Sequence, residues 1–222
     1  MKLGLVGALG ATLVLSACGG SNSSENVDGS VTLDQLKSRA AVAQRTFDFT
    51  EGEDREPIPA HFSQLPVTGS FNYTGIAAVI SGVASTEADD VITLAALGSS
   101  TMRVNFDTQA ITGTANNFFE LDNPQTALIG EIDVIQNVQG QRIDGSLAYQ
   151  FNQRAPADNF YVGSVSGVLF QRNGQQLTIS EDFAGFFSGT DARGFLGISD
   201  TLIVDSPSVP FNSVGLLMTR DN

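Results

Sequence analysis

The chain has 222 residues, 24 acids against 11 bases, and a formal charge of −13. Its cations beyond Lys37 are all arginines, scattered singly, so no basic stripe exists to replace phosphate counterions, and nucleic acid is excluded as a partner. One cysteine rules out a disulfide within the chain, and one histidine, His61, leaves neither a closed zinc site nor a hydrolase triad, there being no Gly-x-Ser-x-Gly elbow either. The expectation is a protein without a catalytic centre and without a resident metal.

In chain order, the first element is an export signal. Lys2 is followed by an apolar stretch from Leu3 to Leu15, too short and too rich in glycine to span a membrane comfortably. Leu15-Ser16-Ala17-Cys18 then reads as a lipobox, in which cleavage after Ala17 makes Cys18 the N-terminus and its thiol carries diacylglycerol. Residues 1–17 are thus expected to be a lipoprotein signal peptide, and Cys18 the lipidation site. With no polybasic patch, membrane attachment rests on the acyl chains, of which two or more suffice. Gly19, where an aspartate would retain a lipoprotein at the inner membrane, resembles sorting to the outer membrane, with surface exposure open.

Residues 18–64 read as a lipid-anchored tail, largely extended or weakly helical. It opens with the flexible run Gly19-Gly20-Ser21-Asn22-Ser23-Ser24. Leu33, Leu36, Ala40 and Ala43 are spaced for one narrow helical face. The charged run from Glu51 to Glu56, closed by Pro57 and Pro59, favours extended chain.

From Leu65 the pattern becomes period-two alternation punctuated by glycine. Strands are expected at 67–73, 76–81, 91–97, 100–106, 110–118, 127–135, 142–151, 160–170 and 175–180, then 183–189, 193–204 and 212–219, with bends splitting or merging some. Asn173-Gly174 signals a type I′ hairpin turn, and Asp107-Thr108-Gln109 a second hairpin. Long neighbours joined by short turns favour an all-β fold, an antiparallel up-and-down β-barrel of about eight strands over residues 65–222, with a β-sandwich as the alternative.

Fifteen phenylalanines supply an interior; Phe71, Phe106, Phe151 and Phe195 are assigned to it. Phe118-Phe119 and Phe186-Phe187 are adjacent pairs, so one member of each must face outward, and these four are the candidate contacts to a protein partner. No cofactor is required. Were the barrel to enclose haem, His61, Tyr73, Tyr149 and Tyr161 are the axial candidates.

Three segments resemble the barrel domain of transferrin-binding-protein-like surface lipoproteins. They are Leu65-Pro66-Val67-Thr68-Gly69-Ser70-Phe71-Asn72-Tyr73-Thr74-Gly75, the hairpin from Met102 to Thr114, and the run from Gly185 to Gly197. The last is similar to that family's Gly-x-Phe-Tyr-Gly-Pro-x-Ala-x-Glu-x-Gly-Gly motif, but Thr190 stands where proline is usual and Gly194 where glutamate is. The resemblance implies a non-catalytic, surface-exposed outer-membrane lipoprotein whose barrel and loops bind a protein, in iron or haem acquisition or another host or environment interaction. Two readings stay open beside it: a carrier of haem or lipid, and a structural envelope protein.

Overall fold

The computed structural model describes residues 31–45, 58–84, 91–124, 139–155, 158–199 and 209–221. Cys18 and the strand expected at 127–135 lie outside them. In chain order the elements are helix α1 (Leu33–Arg45) and strands β1 (Ser70–Ala84), β2 (Val91–Asn105), β3 (Ala110–Leu121), β4 (Gly140–Arg142), β5 (Gly145–Gln153), β6 (Tyr161–Phe170), β7 (Gln176–Ser188), β8 (Gly194–Ser199) and β9 (Val209–Arg220).

Every neighbouring pair is antiparallel. The ring runs β1-β2-β3-β5-β6-β7-β8-β9, and β9 returns to β1 through the continuous register Tyr73↔Arg220 to Ala84↔Val209. Eight strands therefore close an up-and-down barrel and leave no sheet edge in the ring, which decides against a sandwich. β4 is a short addition beside the end of β3, pairing Phe119 to Leu121.

Several expected strands are fused. β1 runs through Gly75, β2 through Gly98, and β7 through Glu181, each where a break had been expected. The expected 142–151 strand is instead interrupted at Ile143 and Asp144, after which Gly145 takes φ 137°. The β6–β7 hairpin forms where expected, with a different turn. Gly174 N–H donates to Gln171 O at 2.9 Å and Gln171 N–H to Gln175 O at 2.8 Å. Only Gly174 has positive φ (83°), so this is a type I turn closed by a glycine bulge rather than a type I′ turn. In the β2–β3 turn the left-handed residue is Gln109, φ 57°.

Two apolar clusters result. The inner one gathers alternate residues of every ring strand, among them Tyr73, Met102, Val104, Phe106, Ile111, Phe118, Tyr149, Phe151, Phe183, Phe187, Phe195 and Met218. Its aromatic rings form a connected set. Phe187 lies 5.8 Å from Tyr73, 5.4 Å from Phe106, 5.2 Å from Tyr161 and 5.1 Å from Phe195, and Phe195 lies 5.5 Å from Phe151. Phe71, also assigned to the interior, packs half-buried against this set.

Glycine makes room for these rings. Gly185 and Gly197 are direct cross-strand partners on β7 and β8. A Cβ on Gly185 would meet Phe195 Cζ at 2.4 Å, and one on Gly197 would meet Phe183 Cε1 at 2.4 Å. Each ring thus lies over a bare glycine of the other strand.

The second cluster lies on the outer wall. Leu36, Ala40 and Ala43 of α1 pack on Ile76, Ala95, Leu97, Leu121, Leu196 and Leu217, with Phe119 and Phe186 at its border. A 13-residue helix is marginal alone, so this contact sustains it. Its start is capped reciprocally: Gln35 N–H donates to Thr32 Oγ1 at 3.2 Å, and Thr32 N–H to Gln35 Oε1 at 2.8 Å. Arg39 Nη1 donates to Ser99 Oγ on β2 at 2.6 Å, and Arg142 Nη2 to Val31 O at 2.5 Å.

Candidate functional site: the two ends of the barrel

The strand directions define two unlike ends. At one, the arm end, β1, β3, β6 and β8 begin; at the other, the mouth, they finish.

The arm end is closed by residues 58–65 lying against the end of β7. Pro59 bridges to Ser188, Ser188 Oγ donates to Ile58 O at 2.9 Å, and Ala60 N–H donates to Phe187 O at 2.8 Å. Asn159 is the staple between them. Its Nδ2 donates to Ala60 O at 2.7 Å and to Phe187 O at 2.8 Å, while its Oδ1 accepts from Phe187 N–H at 3.0 Å. Next along the arm, His61 caps a short 3₁₀ turn, accepting at Nδ1 from Ser63 N–H.

The β7–β8 turn beside the arm carries three positive φ values, Gly189 at 75°, Asp191 at 58° and Ala192 at 54°. This unusual bend is fixed from beneath. Tyr73 Oη donates to Ala192 O at 2.5 Å, and Arg220 Nη1 donates to Asp191 O at 2.7 Å while its guanidinium stands 4.7 Å over the Phe71 ring.

Each of the three tyrosines is buried, and burial pushes its phenol upward; Tyr161 reaches about 12, with Asp158 adding to the rise. Tyr149 Oη lies 2.7 Å from Ser100 Oγ and donates to Thr101 O at 2.7 Å. Tyr73 and Tyr149 thus spend their hydroxyls on the barrel's own frame, Tyr161 packs edge-on to Phe187, and His61 stands on the exposed arm. Tyr73 and Tyr161 share the Phe187 ring, whereas Tyr149 stands with Ser100 and Thr101.

The mouth differs in chemistry. Cross-strand partners share a face of the sheet. Glu181 pairs with Val165 and Ser81 with Leu94, both inner-cluster residues, and Asn212 pairs with Ser81. Glu181, Asn212 and Ser81 therefore face inward on β7, β9 and β1, and all three are half-buried, so solvent reaches this inner wall. Asn212 Nδ2 donates to Glu181 Oε1 at 3.4 Å. Opposite, Arg172 at the β6–β7 turn reaches over β5 to the end of β3. Its Nη1 meets Asp122 at 2.7 Å, its Nε lies 3.6 Å from Glu120, and its N–H donates to Glu120 Oε2 at 2.8 Å.

The phenylalanine pairs split between the two faces. On β3, Asn117 takes φ 53° at a bulge opposite the Leu97–Ser99 shift, which turns Phe118 inward over Gly98 and Phe119 outward. Phe118 and Phe187 are fully buried in the inner cluster, which takes both out of reach of a partner. Phe119 and Phe186 face outward, half-buried beside the α1 cluster, with Arg142 5.1 Å over the Phe119 ring.

No protein-family model matches the sequence, and no curated protein matches it. Among solved structures, the chain is similar to a single-site mutant of the vaccine antigen transferrin binding protein B from Haemophilus parasuis Hp5, at TM-score 0.45 and 10% identity, covering 76% of this chain and 30% of that one. A double mutant of the same protein gives TM-score 0.43, 14% identity and the same coverage. Intact Ap-TbpB, with its N and C lobes, gives TM-score 0.41, 11% identity, 75% of this chain and 30% of that one. The chain spans about three tenths of the length of each structure.

Proposed function

We propose that the protein is a non-catalytic lipoprotein of the outer membrane, attached through acyl chains on Cys18, whose barrel surface binds a protein partner. In this reading residues 1–17 are the leader, 18–64 the anchored segment that includes α1 and the arm, and 65–222 the barrel. The observation that carries it is the lipobox Leu15-Ser16-Ala17-Cys18 ahead of a barrel whose arm-end half is filled with its own aromatic rings. Where the interior is filled, recognition falls to the outer wall and the turns, and Phe119 and Phe186 are the candidate anchors there. The test is a pull-down from envelope and extracellular fractions with the soluble form beginning at Gly19. Recovery of one defined protein is expected; recovery of none above background counts against the reading.

A second reading, a small-ligand carrier for haem or lipid, is favoured by one observation, the half-buried inward arc of Glu181, Asn212 and Ser81 at the mouth. Native mass spectrometry of freshly purified protein would then show a bound molecule. A bare mass together with an unchanged haem spectrum on titration removes that reading.

A further inference from the structure

The two fixed points of the N-terminal segment lie at opposite ends of the barrel. Val31 is held by Arg142, which sits beside the end of β3 and thus at the mouth. Ile58 is held by Ser188, at the arm end. Between them α1 runs about 20 Å along the wall, pinned by Leu36, Ala40 and Ala43 and by the Arg39–Ser99 hydrogen bond. Val31, the first described residue on the Cys18 side, therefore stands at the mouth and not at the arm end.

We infer that α1 is a strap that fixes the orientation of the barrel on its membrane, holding the mouth toward the lipid and presenting the arm end outward. The inference rests on the Cys18 anchor proposed above. The magnitudes decide it. With α1 docked, 13 residues (18–30) separate Cys18 from Val31, and a backbone of that length can reach at most about 45 Å. A barrel of 15-residue strands tilted as barrels require stands roughly 35–40 Å tall, so the arm end could meet the lipid only with nearly all of that reach taken up. With α1 released, the nearest fixed point is Ile58 at the arm end, 40 residues (18–57) from Cys18, and that length can reach up to about 140 Å. The docked strap thus keeps the mouth beside the lipid, and releasing it removes that bias.

The experiment uses the full acylated chain on phosphatidylcholine vesicles containing headgroup spin-labelled lipid. With Cys18 acylated, a fluorophore is placed on Gln175→Cys at the mouth or on Thr108→Cys at the arm end. Flotation with the vesicles and the acylated mass of the N-terminal peptide are measured first. Quenching about twofold or more stronger at position 175 than at 108 is expected. Leu36→Asp with Ala40→Asp should abolish or invert that difference. If that pair unfolds the barrel, Arg39→Ala with Arg142→Ala, which cuts only the polar ties, gives the same reading. Equal quenching in the parent, or a difference that survives release of α1, overturns the strap. A chain that neither floats nor carries the acyl mass overturns the anchor, and the orientation with it, while protection of the α1 amides from hydrogen exchange still reports docking.

Discussion

The inner and outer apolar clusters of this barrel are built from different residues and hold different things together. The inner one is aromatic and draws on every strand of the ring, so no single element can leave it without opening the barrel. The outer one is aliphatic, and one of its sides is a helix contributing a leucine and two alanines. Among the described residues, Leu36 is the one large fully buried side chain that α1 contributes, and its burial is worth about 1.5–3 kcal/mol. The contrast separates a core that folds once from a seam that can open while the barrel stays closed.

The largest effect expected is at the centre of the inner cluster. Phe187→Ala removes the ring that touches Tyr73, Phe106, Tyr161 and Phe195, and should destabilise the whole barrel by about 3–5 kcal/mol in urea unfolding. A loss under about 1 kcal/mol would mean that the interior is not the single packed unit described.

High pH should strike the same cluster. The phenols of Tyr73, Tyr149 and Tyr161 are raised in the folded state by burial, so the folded form holds its protons where the unfolded form has lost them. Their contribution is complete below the ordinary tyrosine value of about 10 and declines above it, for Tyr161 up to about 12. Phenolate absorbance should therefore appear together with unfolding above that value. Three phenols ionising freely near pH 10 in a folded barrel would contradict the packing.

The seam should respond differently. Leu36→Asp is expected to cost about 2–3 kcal/mol of helix docking, read as lost hydrogen-exchange protection over Leu33–Arg45, with little change in the barrel's own unfolding. Simultaneous collapse of both would erase the distinction. At the arm end, Asn159→Ala leaves the Phe187 N–H without its partner and should cost about 1–3 kcal/mol, exposing residues 58–65 to limited proteolysis. Smallest is Arg172→Ala at the mouth, whose part-exposed ion pairs should be worth no more than about 1 kcal/mol and should fade with added salt.

Much of the ring was legible in the alternation of residues such as Met102, Val104 and Phe106, because a half-buried strand imposes period two whatever it pairs with. The breaks were harder to place. Gly75 and Gly98 look like turn residues, yet they sit inside strands because a neighbouring backbone or ring occupies the space of a side chain: a Cβ on Gly75 would meet Leu217 O at 2.0 Å, and one on Gly98 would meet Phe118 Cδ1 at 2.6 Å. The Asn173-Gly174 pair specified a hairpin but not its turn type, since glycine's positive φ serves a bulge as well as a type I′ turn.

The narrow apolar face of α1 foretold the helix but neither the Thr32–Gln35 capping box that starts it nor the wall that it covers. The site features came from tertiary register alone. Nothing local marks Asn159 as a staple, Glu181 as inward-facing, or Asn117 as the bulge that decides which phenylalanine of its pair enters the core.

The pairing of β1 with β9 also constrains the order of events when the protein is made. Ser70 to Ala84 emerge early, yet one of their two partners is Val209–Arg220. Until that segment is available, β1 and β8 both present unpaired backbone, the kind of template on which other chains add. A chain exported as the sequence suggests would cross its membrane before β9 could seal the ring. Chaperoning on the far side would then have to shield those two edges, and shortening the chain by the length of β9 should convert a soluble barrel into an aggregating one.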